Sequence, residues 1–248
     1  MKIIVIGESC KDVFVYGICN RLSPEAPVPV MIPIDVKDNL GMSGNVVKNI
    51  QALDSKVNII HWHQKESITK TRYVEKKSNH MFLRVDEGEE NLAPFELNIS
   101  KTNAIRNVDG VIISDYDKGF LSEEVLMEIT KNAKFSIIDS KRKMGSNLIT
   151  CFDFIKLNES EFSRCNVNQH HLKKILVTLG SKGAKYIDTV YPSPDPKETI
   201  DVSGAGDTFT ASFTLNYLKT KNVEESIIYA NQMASIVVSK RGVTTPLN

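Results

Sequence analysis

At 248 residues, 41% of them apolar, the chain is long enough for one large domain with a substantial core. Its 31 Lys and Arg against 30 Asp and Glu leave a net charge of +1, so no global charge recruits nucleic acid or an anionic membrane, and any anion must be bound locally. No apolar run approaches the roughly 20 residues that cross a bilayer, the N-terminal apolar stretch is too short for a signal peptide, and the four cysteines include no C-x-x-C pair; a soluble cytoplasmic protein with free thiols is expected.

In chain order, residues 3–7 read as a buried strand. Residues 28–34 are extended, and their prolines belong on a sheet edge. Gly41-Met42-Ser43-Gly44-Asn45 turns into a helix over 45–53, and a second strand follows at 57–60. His61-Trp62-His63 puts two histidines on one strand face, but no third ligand is evident, so a packed or solvated strand is expected there; His170-His171 reads the same way. Residues 69–77 and 80–86 predict a hairpin turned at Ser78-Asn79. Strands at 111–115, 136–139, 154–157 and 175–180 then alternate with helices at 122–132, 159–164, 206–218 and 224–239. Alternation of this kind predicts a mostly parallel sheet covered on both faces. Ligands bind beyond the carboxyl ends of such strands, where Asp115, Asp139, Asn158 and Gly180 would gather.

Asp201-Val202-Ser203-Gly204-Ala205-Gly206-Asp207-Thr208 carries most of the chemistry. Small residues open a helix whose apolar stripe is Phe209, Phe213 and Tyr217 at i, i+4 and i+8. The first N–H groups of a helix are unpaired and its dipole adds positive potential, so such a turn suits an anion. Asp207 in the first turn can meet a hydroxyl beside a bound phosphate, which points to phosphoryl transfer to an alcohol. A plain strand-to-helix turn would look the same in isolation. Lys156-Leu157-Asn158-Glu159-Ser160-Glu161 places Asn158 and Glu161 three apart at another strand-to-helix junction, suited either to capping or to a hydrated Mg2+, which takes few protein oxygens. Thr178-Leu179-Gly180-Ser181-Lys182-Gly183 ends a strand with glycine freedom suited to a nucleotide passing close to the backbone.

Together and in this order, Gly-x-x-x-Asn at 41–45, Asn-x-x-Glu at 158–161, Thr-Leu-Gly at 178–180 and Asp-x-x-Gly-Ala-Gly-Asp at 201–207 resemble the ribokinase-like (PfkB-type) sugar kinases over essentially the whole chain. Residues 21–30 (Arg21 to Val30), Ile68-Thr69-Lys70-Thr71-Arg72, Leu83-Arg84-Val85-Asp86 and Ser114-Asp115-Tyr116-Asp117-Lys118-Gly119 are similar to the branch acting on D-glycero-β-D-manno-heptose 7-phosphate. The resemblance implies one ribokinase-like α/β/α domain over 1–248, with a small β-lid from segments near 12–36 and 68–87 that often forms a homodimer interface. It implies ATP and Mg2+, a sugar phosphate as acceptor and a heptose 1,7-bisphosphate as product, on the route to the lipopolysaccharide core.

Carried over, Asp207 is the catalytic acid-base group, and the N–H groups of Gly204, Ala205 and Gly206 form the anion hole. Asp12 and Asn45, with the turn at Gly41, hold sugar hydroxyls. Arg84, Asp115, Lys118 and Lys141 are candidates for the sugar-phosphate side. Asn158, Thr178, Gly180 and Gly183 line the nucleotide; Glu161 faces Mg2+ through water, and Asp201 with the Ser203 carbonyl is a candidate for a monovalent cation such as K+. A carboxylate at a positive helix terminus is expected to stay ionised, so Asp207 is expected to be a weak base that aligns the hydroxyl and takes its proton late.

The chain departs from the pattern in places. Met42 stands where paired glycines are usual, which narrows the sugar pocket or forces another backbone angle; Glu8 replaces an Asp, and Ser140 interrupts Asp-Pro-Lys. The stretches 53–68 and 164–174 are too short for the usual edge elements. No His-x-Gly-His marks a nucleotidyltransferase, so the chain alone is not expected to make a nucleotide-activated heptose. Two other readings stay open: a kinase for another sugar, such as fructose or ribose, and a catalytically silent sugar- or nucleotide-binding relative.

Overall fold

The computed structural model describes residues 1–194, 202–240 and 242–247. Its centre is an eight-stranded sheet seeded by β1 (Lys2–Gly7), whose Lys-Ile-Ile-Val-Ile-Gly run is buried on both faces. Ile3 and Val5 enter one core cluster and Ile4 and Ile6 the other, as the two-residue period of a strand requires. β1 pairs in parallel with β4 (Asn58–Trp62) on one side and β7 (Gly110–Asp115) on the other. The parallel ladder continues through β8 (Ser136–Ser140), β9 (Phe154–Asn158) and β10 (Ile175–Thr178). Two short antiparallel strands, β11 (Ala184–Tyr186) and β12 (Thr189–Tyr191), finish the far edge and had no clear signal in sequence because each spans only 3 residues.

One face is covered by α1 (Ser43–Leu53), α6 (Ala205–Thr220) and α7 (Val223–Val238). The other carries α2 (Ile99–Arg106), α3 (Glu123–Asn132), α4 (Ser146–Cys151) and α5 (Glu159–Arg164). The expected α/β/α layering is what forms. α6 is buried along most of its length, and Phe209, Phe213 and Tyr217 stack in a column with ring centroids 6.4 and 5.8 Å apart while Phe154 meets Phe213 edge-on. Each buried phenyl contributes about 1.5–3 kcal/mol, which fixes the pitch of α6 and so the position of its first turn.

A second, four-stranded sheet runs β3–β2–β5–β6, formed by β2 (Ser9–Leu22), β3 (Pro29–Met42), β5 (Thr69–Glu75) and β6 (Met81–Glu87). The hairpin turn falls at the expected place, with Asn79 in the left-handed region at φ 59°. β2 was not foreseen: its alternation of buried Asp12, Phe14 and Tyr16 is interrupted by glycine and charge. The shortened stretches also have a physical form. After β4 the chain goes straight into the lid, leaving β4 as the edge of the main sheet, and residues Gln169–Lys174 make only a 3-10 turn.

Candidate active site

The first turn of α6 faces a cavity of about 610 Å3 at the carboxyl ends of β9 and β10, with Ala205, Gly206 and Phe209 in its wall. Gly204 caps the helix at φ 81° and has no side chain to offer the N–H groups behind it. A Cβ there would lie 2.6 Å from Asn45 Nδ2, so glycine is needed both for the backbone angle and for the approach of α1. One expectation is corrected: the Ala205 N–H turns to the Val202 carbonyl at 3.3 Å and is not a third anion donor. Gly206 and Asp207, one and two residues further into the helix, have no intrahelical acceptor for their N–H groups by the geometry of a helix start.

Asp207 is 6% exposed. Asn45 Nδ2 donates to its Oδ2 at 2.8 Å, and the Tyr116 hydroxyl lies 3.4 Å from Oδ1. Behind it, Asn49 Nδ2 donates to the Asn45 carbonyl and Thr208 Oγ1 donates to Asn49 Oδ1, so a buried polar network locks α1 to α6. The expected permanently ionised Asp207 is corrected by this burial. Desolvation, followed by the nearby Asp139 carboxylate, pushes its pKa up to about 7, against the opposing pull of Asn45, Lys156 and Lys141. The helix terminus alone does not outweigh removal from water.

Asn158, Thr178, Gly180, Gly183 and Lys141 line the same cavity. Gly180 and Gly183 both have positive φ, and a Cβ on Gly183 would strike the Tyr191 carbonyl at 2.1 Å, so the backbone must pass bare here. Asn158 and Glu161 form a capping box: Asn158 Oδ1 accepts from the Glu161 N–H at 2.8 Å and Glu161 Oε2 from the Asn158 N–H at 2.7 Å. The second Glu161 oxygen faces Lys141 Nζ at 2.5 Å. Lys141 is thereby placed on the cavity side with Glu161 and not on the lid, which corrects its expected place beside the sugar phosphate. Asp115 is corrected too. Its carboxylate is fully buried and spent on Arg142 Nε and Ser140 Oγ, both at 2.6 Å, so it braces the loop after β7.

The lid closes the other side. Asp12 on β2 takes Arg72 Nη1, and its Oδ2 fills the space where a Cβ on Gly41 would sit, 2.0 Å away. Glycine at 41 is thus required by Asp12. Met42 holds a backbone angle of the kind glycine favours, φ 57° and ψ −133°, and its thioether packs into the main hydrophobic cluster. Glu8 accepts from the N–H groups of Tyr116 and Lys118 and anchors the Tyr116–Lys118 loop. Lys118 pairs with Glu89, and the exposed Arg84 pairs with Asp86. Asp201 lies outside the described residues. His61 is packed as expected: Nε2 meets Ser43 Oγ at 2.9 Å, and burial, with the neighbouring His63, pushes its pKa down to about 4.

Several site residues were given no role from sequence. Lys156 is buried, pairs with Asp139 Oδ2 at 2.9 Å, and stands 2.8 Å from where a Gly206 Cβ would be. Burial raises the Asp139 pKa, but Lys156 and then Lys141 outweigh it and hold the carboxyl below its ordinary value. Tyr116 sits between two ammoniums, Lys70 and Lys141 each 5.6 Å from its ring centre. Asp139 was visible as an acid at a strand end; Lys156 inside a strand and Tyr116 in a loop carried no such signal.

The chain matches the model of the pfkB family carbohydrate kinases over residues 48–248. It is 31% identical to the bifunctional protein HldE of Helicobacter pylori strain J99, the match covering 97% of this chain and 63% of that protein, and 27% identical to the bifunctional protein HldE of Pasteurella multocida, covering 98% and 61%. The chain therefore spans less than two thirds of the length of these relatives. The first alignment runs over 296 positions, more than the chain has residues, so the relative carries segments that this chain lacks. In three dimensions it resembles the ribokinase of Arabidopsis thaliana complexed with ribose and ATP (TM-score 0.72, 17% identity, covering 97% of this chain and 93% of that one). The ribokinase of Thermotoga maritima is similar at a TM-score of 0.72 and 17% identity, with 97% and 94% covered. The chain belongs to the pfkB family of carbohydrate kinases, phosphotransferases with an alcohol group as acceptor.

Proposed function

We propose that this kinase transfers the γ-phosphoryl group of ATP to the anomeric hydroxyl of D-glycero-β-D-manno-heptose 7-phosphate. The observation that carries the reading is the buried Asp207, held by Asn45 at the bare first turn of α6 on the rim of the cavity. A carboxylate with a pKa near 7 is matched to taking a proton from a hydroxyl at neutral pH. In a loose phosphoryl-transfer transition state the protein has little covalent work, and alignment and charge stabilisation dominate. Asp207 orients the acceptor oxygen and receives its proton. The N–H groups of the first turn and the Lys156 ammonium face the oxygens of the migrating group. Asn158, Thr178, Gly180 and Gly183 supply the nucleotide side.

The residues present fit a hydrated Mg2+. Asp139 Oδ1 is buried without a hydrogen-bond partner and Asn158 lines the cavity, while Glu161, its oxygens held by Lys141 and the Asn158 N–H, would face the ion only through water, in keeping with the few protein oxygens this ion takes. When bound, the ion would neutralise phosphate charge. Asp12 and Asn45 are assigned to sugar hydroxyls, and Arg84 with Lys118 to the lid side, where we put the far end of the sugar; the similarity to the heptose 7-phosphate branch supports this reading.

We also assign the outer face of the lid to a second copy of this chain. Val36 and Leu40 on β3 and Leu83 and Val85 on β6 are exposed on that face, and a self-complementary apolar sheet face suits an isologous dimer.

The test is ADP release from ATP–Mg2+ with a panel of heptose 7-phosphate, heptose, fructose and ribose. Turnover confined to the heptose phosphate supports the proposal. Turnover on an unphosphorylated sugar moves the protein to another substrate, and binding without turnover makes it a silent relative.

A further inference from the structure

The two histidines of His61-Trp62-His63 take no part in the chemistry above. β4 is the edge of the main sheet, and among the described residues no further strand lies outside it. His61 is part-buried near the end of β4, and His63, two residues on and exposed, turns its ring to the same side. Both line a cavity of about 410 Å3 at this edge.

Their hydrogen bonds fix which nitrogen of each neutral ring carries the proton. The Gln64 carbonyl, 2.7 Å from His63 Nδ1, can only accept, so Nδ1 donates and Nε2 keeps its lone pair. Ser43 Oγ spends its one proton on the Gly7 carbonyl at 3.0 Å. His61 Nε2, 2.9 Å from the same Oγ, must therefore donate to it, which leaves Nδ1 unprotonated. Each ring thus gives its N–H to the protein and keeps one bare nitrogen. Metal-bound histidines are held in the same way, the second nitrogen donating to a protein oxygen that fixes the ring. Burial, with the neighbouring His63, pushes the His61 pKa down to about 4, so this ring stays neutral over the physiological range.

The spacing fits as well. The ring centres are 4.6 Å apart, with the planes inclined at 41°. Two imidazoles on one Zn2+, each nitrogen about 2.0–2.1 Å from the ion, have centres roughly 4.5–5.2 Å apart for angles of about 90–110° at the metal.

We propose that His61 Nδ1 and His63 Nε2 form a two-histidine site for a borderline divalent cation such as Zn2+, separate from the Mg2+ assigned to the nucleotide. Imidazole nitrogen suits Zn2+, Ni2+ or Cu2+, whereas Mg2+ takes oxygen. No cluster of three His, Cys, Asp or Glu forms here among the described residues, so water completes the shell and the ion stays exchangeable. A bound ion ties the end of β4, through Ser43, to the first residue of α1, the helix that carries Asn45 two positions further on.

Calorimetric titration of the nucleotide-free protein with Zn2+ tests this in wild type, His61→Asn, His63→Ala and the lid control His80→Ala. Wild type and His80→Ala are expected to bind the ion with equal affinity, and each of the other two variants at least tenfold more weakly. His63 is exposed, so His63→Ala decides the matter even if His61→Asn fails to fold. Nitrogen NMR of the imidazoles in the metal-free protein gives a second reading. It should show His61 protonated at Nε2 and His63 at Nδ1. A wild type that binds no Zn2+ at submillimolar concentration, an undiminished affinity in His63→Ala, or a His61 proton on Nδ1 would each overturn the proposal.

Discussion

At the scale of single residues, Asp207 sets the pH behaviour. Its pKa of about 7 in the folded protein predicts that kcat/KM rises with pH through an apparent pKa near 7 and then levels off, where an ordinary aspartate would give a flat profile above about pH 5. Asn45 donates to the ionised form and so lowers this pKa; Asn45→Leu should move the rise to higher pH, measured as the same profile. Asp207→Asn should lower turnover by ~10²–10⁴-fold. It should also raise the melting temperature at alkaline pH. A folded-state pKa raised above the unfolded value of about 3.9 means that ionisation opposes folding: the cost is absent below the unfolded pKa, grows as pH rises, and is fully present above about 7. Calorimetric scans should therefore show the variant above wild type near pH 8, with the gap closing towards pH 4. Equal melting temperatures at both ends would contradict the burial argument. Met42 tells a different residue-scale story. Its φ of 57° belongs to glycine country, and such positions cost about 1–3 kcal/mol, partly offset here by packing the thioether into the core.

At the scale of elements, the site is a set of strand-to-helix junctions, each made by a different device. Gly204 opens α6 by backbone freedom, whereas α5 opens on the reciprocal Asn158–Glu161 box. Asn158→Ala should cost about 1 kcal/mol in urea denaturation and raise the KM for ATP, because the same side chain caps the helix and borders the cavity. Loss of stability with an unchanged KM would reduce Asn158 to a cap. The Asn-x-x-Glu spacing, the Gly-Ala-Gly turn and the aromatic stripe of α6 were legible because each is a local pattern with a local geometry. Ala205 was misjudged as a donor for the same reason: whether an N–H closes its own turn or faces a ligand depends on the path of the residues before it, here the Val202 carbonyl.

At the scale of the whole molecule, the lid sheet turns the charges of Asp12, Lys70 and Arg72 inward and exposes Val36, Leu40, Leu83 and Val85, beside the Lys11–Asp38 ion pair, on its outer face. A dimer through that outer face predicts that Leu83→Lys converts the protein to a monomer in sedimentation velocity; a monomeric wild type would refute the assignment. Alternating strands and helices determined, from the sequence alone, a parallel sheet with helices on both faces, and with it which turns would meet at the carboxyl ends of the strands. The family resemblance, and not the pattern of residues, put the lid in the segments around 12–36 and 68–87. Only the tertiary structure decided how the ionisable groups pair. Asp115 goes to Arg142, Lys141 to Glu161, Lys156 to Asp139, and Glu89 to Lys70 and Lys118. The reason is physical: hydrophobic periodicity is written within ten or so neighbouring residues, but the energy of a buried charge depends on its desolvation and on partners brought from anywhere in the chain. The same distinction explains Asp207, whose neighbours in sequence promised an easily ionised acid and whose burial and spatial neighbours push its pKa up to about 7.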